Sequence, residues 1–474
     1  MPVRVGILGA GPAGLGAALG LAERGFDVWV VERETAVGGN AGSFEIAGLR
    51  VDYGSHRLHP AADPPVLARL RDLLGDDLLE RPRHGRIRLL GRWIHFPLRP
   101  WDLALRLPRR FALGASLDGL GRLRPVAAPS IDASFASVLE RGLGRTLCRE
   151  FYFPYARKMW GLEPEEISAT QAQRRVSAAS MGRLLRRLLP GGAGSGGASS
   201  RGRFFYPRGG YGQICERLAE AARGAGARVH LGAPVRRVAR RAAGGFDVDI
   251  DVVSADAEAL AADHVWSTLP AGLLARLLDP AAPEDVLGAA QSLELRAMLL
   301  VYLVVERDRL TEYDAHYFPG PEVPFTRVSE PKNYAGLDEP RGRTVLCAEL
   351  PCAQSDAVWT LEDAALGDLV GEGLDAVGLP VRDQVSGVVV RRLPAAYPIY
   401  RRGYETHFER LDAWLDGIEN LLSFGRQGLF AHDNTHHALS MANAAVDCLN
   451  DDGSFDREAW GRYRAIFETH VVED

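Results

Sequence analysis

The N-terminal residues alternate apolar runs with small residues in an order that predicts two strands around a helix. Apolar side chains dominate residues 3–8 and 28–31, which is typical of buried strands, and the small residues between them favour a helix. Three glycines, Gly9, Gly11 and Gly14, stand in the turn between the first strand and the helix. This order predicts a βαβ unit with two parallel strands.

The spacing of these glycines is typical of a dinucleotide-binding turn. Gly9 permits the tight turn out of the strand, Gly11 lets the backbone approach a pyrophosphate, and Gly14 lets the helix pack closely on the sheet. The helix is expected to begin at Pro12 and Ala13, so that phosphates would meet free N–H groups at its N-terminus. We therefore expect these five residues to contact a dinucleotide.

An acidic residue and a second pair of glycines follow the second strand. Glu32 ends that strand at the distance where a carboxylate accepts both hydroxyls of an adenosine ribose, and Arg33 beside it is a further expected contact. A plain nicotinamide dehydrogenase does not require the next motif, Gly38-Gly39-Asn40. The second glycine pair therefore favours a flavin nucleotide over a nicotinamide.

A short hairpin leads into the element Asp52-Tyr53-Gly54-Ser55-His56. Together with the second glycine pair, this element resembles the glutathione-reductase-like flavoproteins of the amine oxidase type. In that superfamily the glycine pair passes the ribityl-phosphate side of the flavin, and the Asp-x-Gly-x-His element lies beside the isoalloxazine ring. The resemblance implies bound FAD contacted by Gly54, Ser55 and His56. We expect no covalent link, because no cysteine or histidine occupies a clear attachment motif.

Strand and helix signals recur along the chain and predict two interleaved domains. Residues 65–79 have a helical pattern, whereas residues 296–306 and 343–350 have strand periodicity. The expected fold class is α/β: a Rossmann-like, glutathione-reductase-like FAD-binding domain assembled from discontinuous segments, with a mixed α+β substrate domain. The FAD-binding domain is expected over residues 1–75, 206–275 and 415–474, and the substrate domain over residues 76–205 and 276–414.

Three further segments, residues 151–162, 205–212 and 397–400, resemble the protoporphyrinogen-oxidase-like oxidoreductases and their neighbours, the UDP-galactopyranose mutases. The similarity covers essentially the whole chain. It implies that a backbone group meets the adenine and that a small-polar-Pro element closes over the dinucleotide. The remaining FAD contacts implied by this resemblance are Val235, Thr268, Gly425, Arg426, Asn434 and Thr435.

The same resemblance implies which side chains face the substrate. A cation near the pyrimidine end of a flavin stabilises the anionic reduced form, and an arginine fork binds phosphate oxygens bidentately. The residues expected to take part in catalysis are His56, Arg426, Tyr397 and Arg327. The residues expected to line the substrate site are Tyr155, Trp160, Arg174, Arg175, Tyr206, Arg327, Tyr397 and Tyr400.

Three functions remain open at this point. The first is an FAD-dependent oxidase or dehydrogenase that takes a hydride from a small organic or sugar-derived metabolite onto flavin N5. The second is a redox-neutral sugar-nucleotide mutase that uses reduced FAD, for which the arginines would grip a diphosphate. The third is a flavin-binding partner protein without turnover. We favour the first, with a substrate cleft walled by aromatic side chains.

The composition narrows the partners and the compartment. A net charge of −5 and a pI near 6.2 give no reason to expect nucleic acid, and no apolar run is long enough to span a bilayer. The five cysteines are scattered, which is typical of a reducing cytoplasm. We therefore expect a cytoplasmic protein that acts on a small molecule without membrane attachment; a homodimer remains open.

A cluster of histidines near the C-terminus departs from the expected pattern. His436 stands where many long relatives carry an acid, beside the flavin contacts Asn434 and Thr435. His432, His436 and His437 lack a cysteine or carboxylate at suitable spacing for a metal site. We therefore expect no metal.

Overall fold

The structure is a computed structural model, and it describes residues 2–97, 102, 105–121, 133–175, 202–252 and 255–472. The strands in chain order are β1 Arg4–Leu8, β2 Asp27–Val31, β3 Ser43–Ile46, β4 Leu49–Asp52, β5 Leu78–Pro82, β6 Gly85–Leu89, β7 Arg92–Phe96, β8 Arg203–Pro207, β9 Arg228–His230, β10 Val235–Arg240, β11 Phe246–Val252, β12 Ala255–Ala262, β13 His264–Ser267, β14 Leu278–Asp279, β15 Leu295–Val305, β16 Ala315–Tyr317, β17 Arg327–Ser329, β18 Thr344–Cys352, β19 Val385–Pro398 and β20 Leu421–Ser423.

The helices in chain order are α1 Pro12–Glu23, α2 Pro64–Leu74, α3 Arg109–Gly121, α4 Phe135–Leu143, α5 Arg145–Leu147, α6 Phe153–Trp160, α7 Ala169–Arg175, α8 Gln213–Gly224, α9 Ala271–Leu277, α10 Glu284–Gln291, α11 Pro331–Ala335, α12 Asp363–Ala376, α13 Tyr404–Asp416, α14 Gly425–Gly428, α15 Thr435–Cys448 and α16 Arg457–Phe467. In the described part of the chain, no helix is both long and apolar enough to cross a membrane.

A five-stranded parallel sheet contains the N-terminal βαβ unit. Its spatial order is β20-β13-β1-β2-β9, so its strands come from three distant parts of the chain. Helix α1 packs against α15 and α8, and its Gly16 brings α15 so near that a Cβ there would lie 3.1 Å from the Cβ of Ala442. The mixed α/β class is confirmed, and the sheet contains discontinuous segments; the exact domain boundaries stay a prediction.

A seven-stranded sheet, in the order β19-β15-β18-β17-β16-β6-β7, forms the other large layer. Strand β15 is apolar along almost its whole length because both faces of the sheet are covered. Leu300 and Tyr302 pack into one core with helix α6, whereas Leu299 and Val301 pack into another with helix α12. The predicted strands 296–306 and 343–350 correspond to β15 and β18, each within two residues at either end.

The predicted helix over residues 65–79 is wrong at its C-terminal end. Helix α2 ends at Leu74, and Gly75 follows with a φ of +51°, a conformation that terminates helices. Residues from Leu78 onward form β5, which pairs with β8. The apolar pattern continued across this boundary because Leu78 and Leu79 are partly buried in a strand rather than in a further helical turn.

The end of β4, a strand of the two-stranded β3–β4 sheet, is held against the seven-stranded sheet. The hydroxyl of Tyr302 on β15 donates a 2.6 Å hydrogen bond to the carbonyl oxygen of Asp52. Three residues further, the amide N–H of Ser55 donates to Glu349 on β18 at 2.8 Å. The turn predicted to lie beside the flavin is thus held against the seven-stranded sheet.

Candidate active site

The glycine turn between β1 and α1 leaves open space in front of a helix N-terminus. Gly9, with a φ of +106°, donates its N–H to the carbonyl of Val31 at 2.8 Å. A Cβ on Gly14 would lie 2.0 Å from the carbonyl oxygen of Gly9, so helix and strand approach too closely for a side chain. A Cβ on Gly11 would meet no atom within 4 Å. Pro12 begins α1, whose first N–H groups suit an anion in that space.

The Glu32 carboxylate is fixed beside this turn. It accepts the amide N–H of Ala10 at 2.9 Å and that of Glu34 at 3.1 Å, and the residue is 9% exposed. Arg33, by contrast, projects outward and pairs with Glu34 at 3.3 Å. The acid is therefore oriented by the backbone, while its neighbouring arginine is exposed.

The second glycine pair closes onto the first turn. Gly38 donates its N–H to the carbonyl of Ala10 at 2.8 Å, and a Cβ on Gly39 would lie 3.4 Å from the Cα of Gly11. The side-chain amide of Asn40 reaches the carbonyl of Ala395 on β19, at 3.4 Å. We call Gly9, Gly11, Gly14, Glu32, Gly38 and Gly39 together the nucleotide cradle.

Residues from later parts of the chain complete the edge of the cradle. Thr268 donates both its amide N–H and its hydroxyl to the carbonyl of Leu8 at 2.9 Å. A Cβ on Gly425 would lie 2.9 Å from the Cβ of Ala13. Val235 lies further along, half-buried at the start of β10. The predicted contacts Thr268 and Gly425 are therefore brought to the N-terminus of α1.

Arg426 and the N-terminus of α15 continue the edge of the nucleotide cradle beyond Gly425. Arg426 donates to the carbonyl of Ala396 at 2.8 Å, and its guanidinium lies 4.7 Å from the centre of the Tyr397 ring. Asn434 caps α15, which begins at Thr435. Arg426 therefore links the predicted flavin contacts to β19 and its aromatic end.

The flavin-side turn, residues 54–56, is held by charged and aromatic neighbours. His56 stacks on Tyr211 with ring centres 5.1 Å apart and donates its Nε2–H to the carbonyl of Tyr53 at 2.9 Å. Burial lowers the pKa of His56, despite the attraction of Asp52. His56 is therefore neutral at pH 7.

Arg327 is bound by a carboxylate that sequence patterns did not identify. Its Nε and Nη2 donate to the two oxygens of Glu349 at 2.9 and 2.8 Å, and Glu349 also accepts the N–H of Ser55. The side chain of Glu349 is 4% exposed. Burial alone would lower the pKa of Arg327, but Glu349 raises it well above its ordinary value. Arg327 is thus a charged residue whose fork is already paired.

Two more buried polar groups belong to this region: Arg57, which the sequence analysis missed, and Asp52, which opens the Asp-x-Gly-x-His element. Arg57 donates to Tyr317 at 2.7 Å and to Asp314 at 3.2 Å. Asp52 accepts the hydroxyl of Tyr206 at 2.6 Å, and burial raises the pKa of Asp52. The sequence signal that could have identified Arg57 as a site residue is its position directly after the Gly-x-His element. Tyr206, expected at the substrate, is 1% exposed and turns its hydroxyl toward Asp52.

Several of the expected substrate residues form one aromatic group, which we define as Trp160, Tyr397, Tyr400, Tyr404 and His432. Tyr397 stacks on His432 at 6.0 Å, and Trp160 meets both rings edge-on. Tyr400 stacks on Tyr404 at 4.2 Å. Since these rings pack on one another, the group is rigid.

Arg174 joins the aromatic group, and Tyr155 packs against the core that contains Trp160. Arg174 donates to the hydroxyl of Tyr400 at 3.2 Å, and that hydroxyl donates to the carbonyl of Phe430 at 2.9 Å. Tyr155 stacks on Phe151 with ring centres 6.4 Å apart. The side chain of Arg175 lies outside the described part of the structure.

Known proteins share both the fold and the sequence pattern of this chain. The family model of flavin-containing amine oxidoreductases matches residues 12–436. AofH, a candidate flavin-containing monoamine oxidase of Mycobacterium tuberculosis, is 33% identical over 304 residues, which are 60% of this chain and 60% of AofH. The chain thus matches less than two thirds of the length of that relative.

Solved structures extend the likeness over the whole fold. A reduced UDP-galactopyranose mutase covers 100% of both chains with a TM-score of 0.79 and 21% identity. A candidate protoporphyrinogen oxidase from Exiguobacterium sp. 255-15 covers 94% of this chain and 98% of its own, with a TM-score of 0.71 and 18% identity. The resemblance inferred from the sequence motifs is confirmed.

Proposed function

Since the chain belongs to the flavin-containing amine oxidoreductases, and is thereby an FAD-dependent enzyme, we propose that it oxidises a small organic or sugar-derived metabolite. FAD supplies the hydride acceptor, flavin N5, to which a C–H bond of the substrate delivers its hydride. The protein contributes binding, orientation and electrostatics. The finer statement, that the substrate is an amine or another apolar compound rather than a nucleotide sugar, rests on the side chains below.

The residues of the nucleotide cradle fit FAD. The open space before Gly11 and the N-terminus of α1 suit the pyrophosphate, and the oriented Glu32 carboxylate suits the ribose hydroxyls. The residues that we propose to hold FAD are Gly9, Gly11, Pro12, Ala13, Gly14, Glu32, Arg33, Gly38, Gly39, Asn40, Gly54, Ser55, His56, Val235, Thr268, Gly425, Arg426, Asn434 and Thr435. Of these, Arg33 has the weakest support, because its side chain is exposed and paired with Glu34.

The proposed catalytic side chains differ in charge and therefore in role. Neutral His56 orients the flavin-side turn through its bond to the Tyr53 carbonyl without adding charge. Arg426 supplies a cation at the edge of the cradle, which would favour an anionic reduced flavin. The Tyr397 ring lies between Arg426 and His432, where it would position a substrate beside the Arg426 cation.

The observation that carries the choice of substrate is the pairing of Arg327 with Glu349. A diphosphate needs arginine donors with free forks, whereas the Nε and Nη2 of Arg327 already meet both carboxylate oxygens, and Nη2 also donates to the Ser55 carbonyl at 3.3 Å. Tyr397 is near enough to contribute to the raised pKa of Arg327, so the aromatic group and this neutralised pair are neighbours. Aromatic faces attract an amine by apolar contact and, when it is protonated, by cation–π attraction.

A sugar-nucleotide mutase remains the second candidate, favoured by one contact. Arg174 is bound to a neutral tyrosine hydroxyl rather than to a carboxylate, so its charge is not cancelled by that contact. Such a mutase would turn over after reduction of its flavin by dithionite and would consume no electron acceptor.

Anaerobic spectroscopy of the purified yellow protein tests the proposal. We expect an aromatic or alicyclic amine, from a panel that also contains polyols and nucleotide sugars, to bleach the oxidised flavin. Tyr397→Ala should slow that bleaching at least about tenfold, whereas the matched Tyr463→Ala in α16 should not. Turnover of a nucleotide sugar by dithionite-reduced protein, with no bleaching by any compound, would contradict the proposal.

The compartment and assembly are proposed on less specific grounds. All five cysteines are free and buried, which suits a reducing cytoplasm. A cytoplasmic location follows as a proposal, and a homodimer stays a prediction.

A further inference from the structure

A carboxylate and two imidazoles converge beside the N-terminus of α15. Asp433 precedes that helix, His437 lies in its first turn, and His470 comes from the segment after α16. One ligand atom from each residue lies within 4.8 Å of the others. The sequence analysis considered His437 as a metal ligand and rejected it because no carboxylate stood at a suitable spacing. In the structure, Asp433 supplies the carboxylate and the distant His470 supplies a second imidazole.

The separations suit a transition-metal ion. The Nδ1 of His470 lies 3.3 Å from one oxygen of Asp433, and the Nδ1 of His437 lies 3.6 Å from the other. Ligands about 2.0–2.1 Å from a tetrahedral zinc ion stand roughly 3.3–3.4 Å apart, so both distances are near those of a loaded site. A set of two histidines and one carboxylate is typical of zinc and its neighbours in the first transition row.

The charges at this position favour a cation. The side chain of Asp433 is 1% exposed, and in the described part of the chain its ion-pair partners are these two histidines. His437 Nδ1 accepts the N–H of Asn434 at 3.2 Å, so this nitrogen carries no proton that it could donate to the carboxylate. Two acceptors therefore face each other in a buried place.

We propose that Asp433, His437 and His470 form a binding site for one divalent transition-metal ion, which fixes the C-terminal segment to the N-terminus of α15. The ion binds the lone pair of His437 Nδ1, which then gives up its long hydrogen bond from the Asn434 N–H. Water completes the coordination. Since Val472 donates its N–H to the carbonyl of Arg174 at 2.9 Å, the fixed segment also supports the end of α7. The ligands lie beside the proposed FAD contacts Asn434 and Thr435, and the Asp433 carbonyl accepts from Arg426, but no step of the reaction proposed above is assigned to the ion.

Zinc titration of the FAD-loaded full chain, stripped with a chelator and followed by calorimetry, tests the site. The wild type should bind one zinc ion per chain, and magnesium should not compete, because imidazole is a poor ligand for it. His470→Ala should weaken zinc binding at least about tenfold, since one of three ligands is lost. The matched control is His407→Ala, an exposed histidine in α13, which should bind zinc as the wild type does.

A second variant distinguishes the loss of a zinc ligand from misfolding of the chain. Asp433→Asn keeps the shape of the side chain while removing its charge, and its FAD content reports whether the fold is intact. Loss of zinc with FAD retained supports the site. The absence of stoichiometric zinc binding in the wild type, or equal affinity in the wild type and His470→Ala, would overturn it.

Discussion

The nucleotide cradle and the substrate side of this enzyme are constructed from different groups. The cradle consists of glycines and backbone N–H groups from one short stretch, with Glu32 as its main charged side chain. The substrate side depends on buried side chains from distant strands, such as Arg327 with Glu349 and Arg57 with Asp314. A backbone cradle tolerates change in the surrounding sequence, whereas a buried ion pair loses stability when either partner is removed.

The largest effect at neutral pH should follow from breaking the substrate-side pair. Glu349→Gln leaves the Arg327 charge buried without its partner and should lower the free energy of unfolding by about 3 kcal/mol. The matched control is Glu339→Gln, which removes an exposed pair with Arg341 and should cause no measurable change. Denaturant unfolding of both variants measures the difference; equal midpoints would show that the buried pair contributes no more than a surface one.

A buried histidine of the seven-stranded sheet, His316, should also make the free energy of unfolding depend on pH. Burial lowers the pKa of His316 to about 3 from an ordinary value near 6.5. Between these two pKa values, the imidazole of His316 is protonated in the unfolded chain but not in the folded chain. The free energy of unfolding therefore decreases as the pH falls from about 6.5 toward 3, by about 1.4 kcal/mol per pH unit. His316→Gln should flatten the dependence in that window, whereas exposed His407→Gln should not. Parallel curves for all three proteins would refute this cause.

A smaller and more selective effect is expected in the cradle. A Cβ on Gly11 meets no protein atom, so Gly11→Ala should leave the stability of the apoprotein unchanged. It should nonetheless weaken FAD binding by about tenfold, or ~1.4 kcal/mol, because the methyl group occupies the approach of the pyrophosphate. Gly461→Ala, on open helix surface in α16, is the control and should retain FAD. Unchanged FAD affinity in Gly11→Ala would mean that the pyrophosphate lies elsewhere.

The same contrast explains what the sequence revealed. The cradle was predicted residue by residue because its members are close together and each has a distinct backbone task, as Gly9 and Gly14 show. Glu349 was missed because it lies 294 residues from Ser55, and nothing local marks an acid inside an apolar strand. Asp433 was likewise not connected with His470, because the fold brings that histidine back over a helix.

Tyr206 and Tyr400 illustrate the remaining difficulty. Both occur in motifs that resemble substrate-binding segments, yet their hydroxyls are bonded to Asp52 and to the Phe430 carbonyl. A motif predicts that an aromatic residue stands at a position, but the direction of its hydroxyl depends on distant partners. Their assignment as substrate contacts therefore stays a prediction, and support of the site is the role that their geometry favours.

The central claim is that Arg327 is committed to Glu349, so that the substrate side does not bind a diphosphate. Calorimetry of the FAD-loaded protein with UDP and TDP tests it most directly. We expect no binding in the micromolar range for either nucleotide, at low salt or high. Micromolar binding that weakens with salt and vanishes in an Arg174→Ala, Arg327→Ala double variant that still retains FAD would contradict the claim.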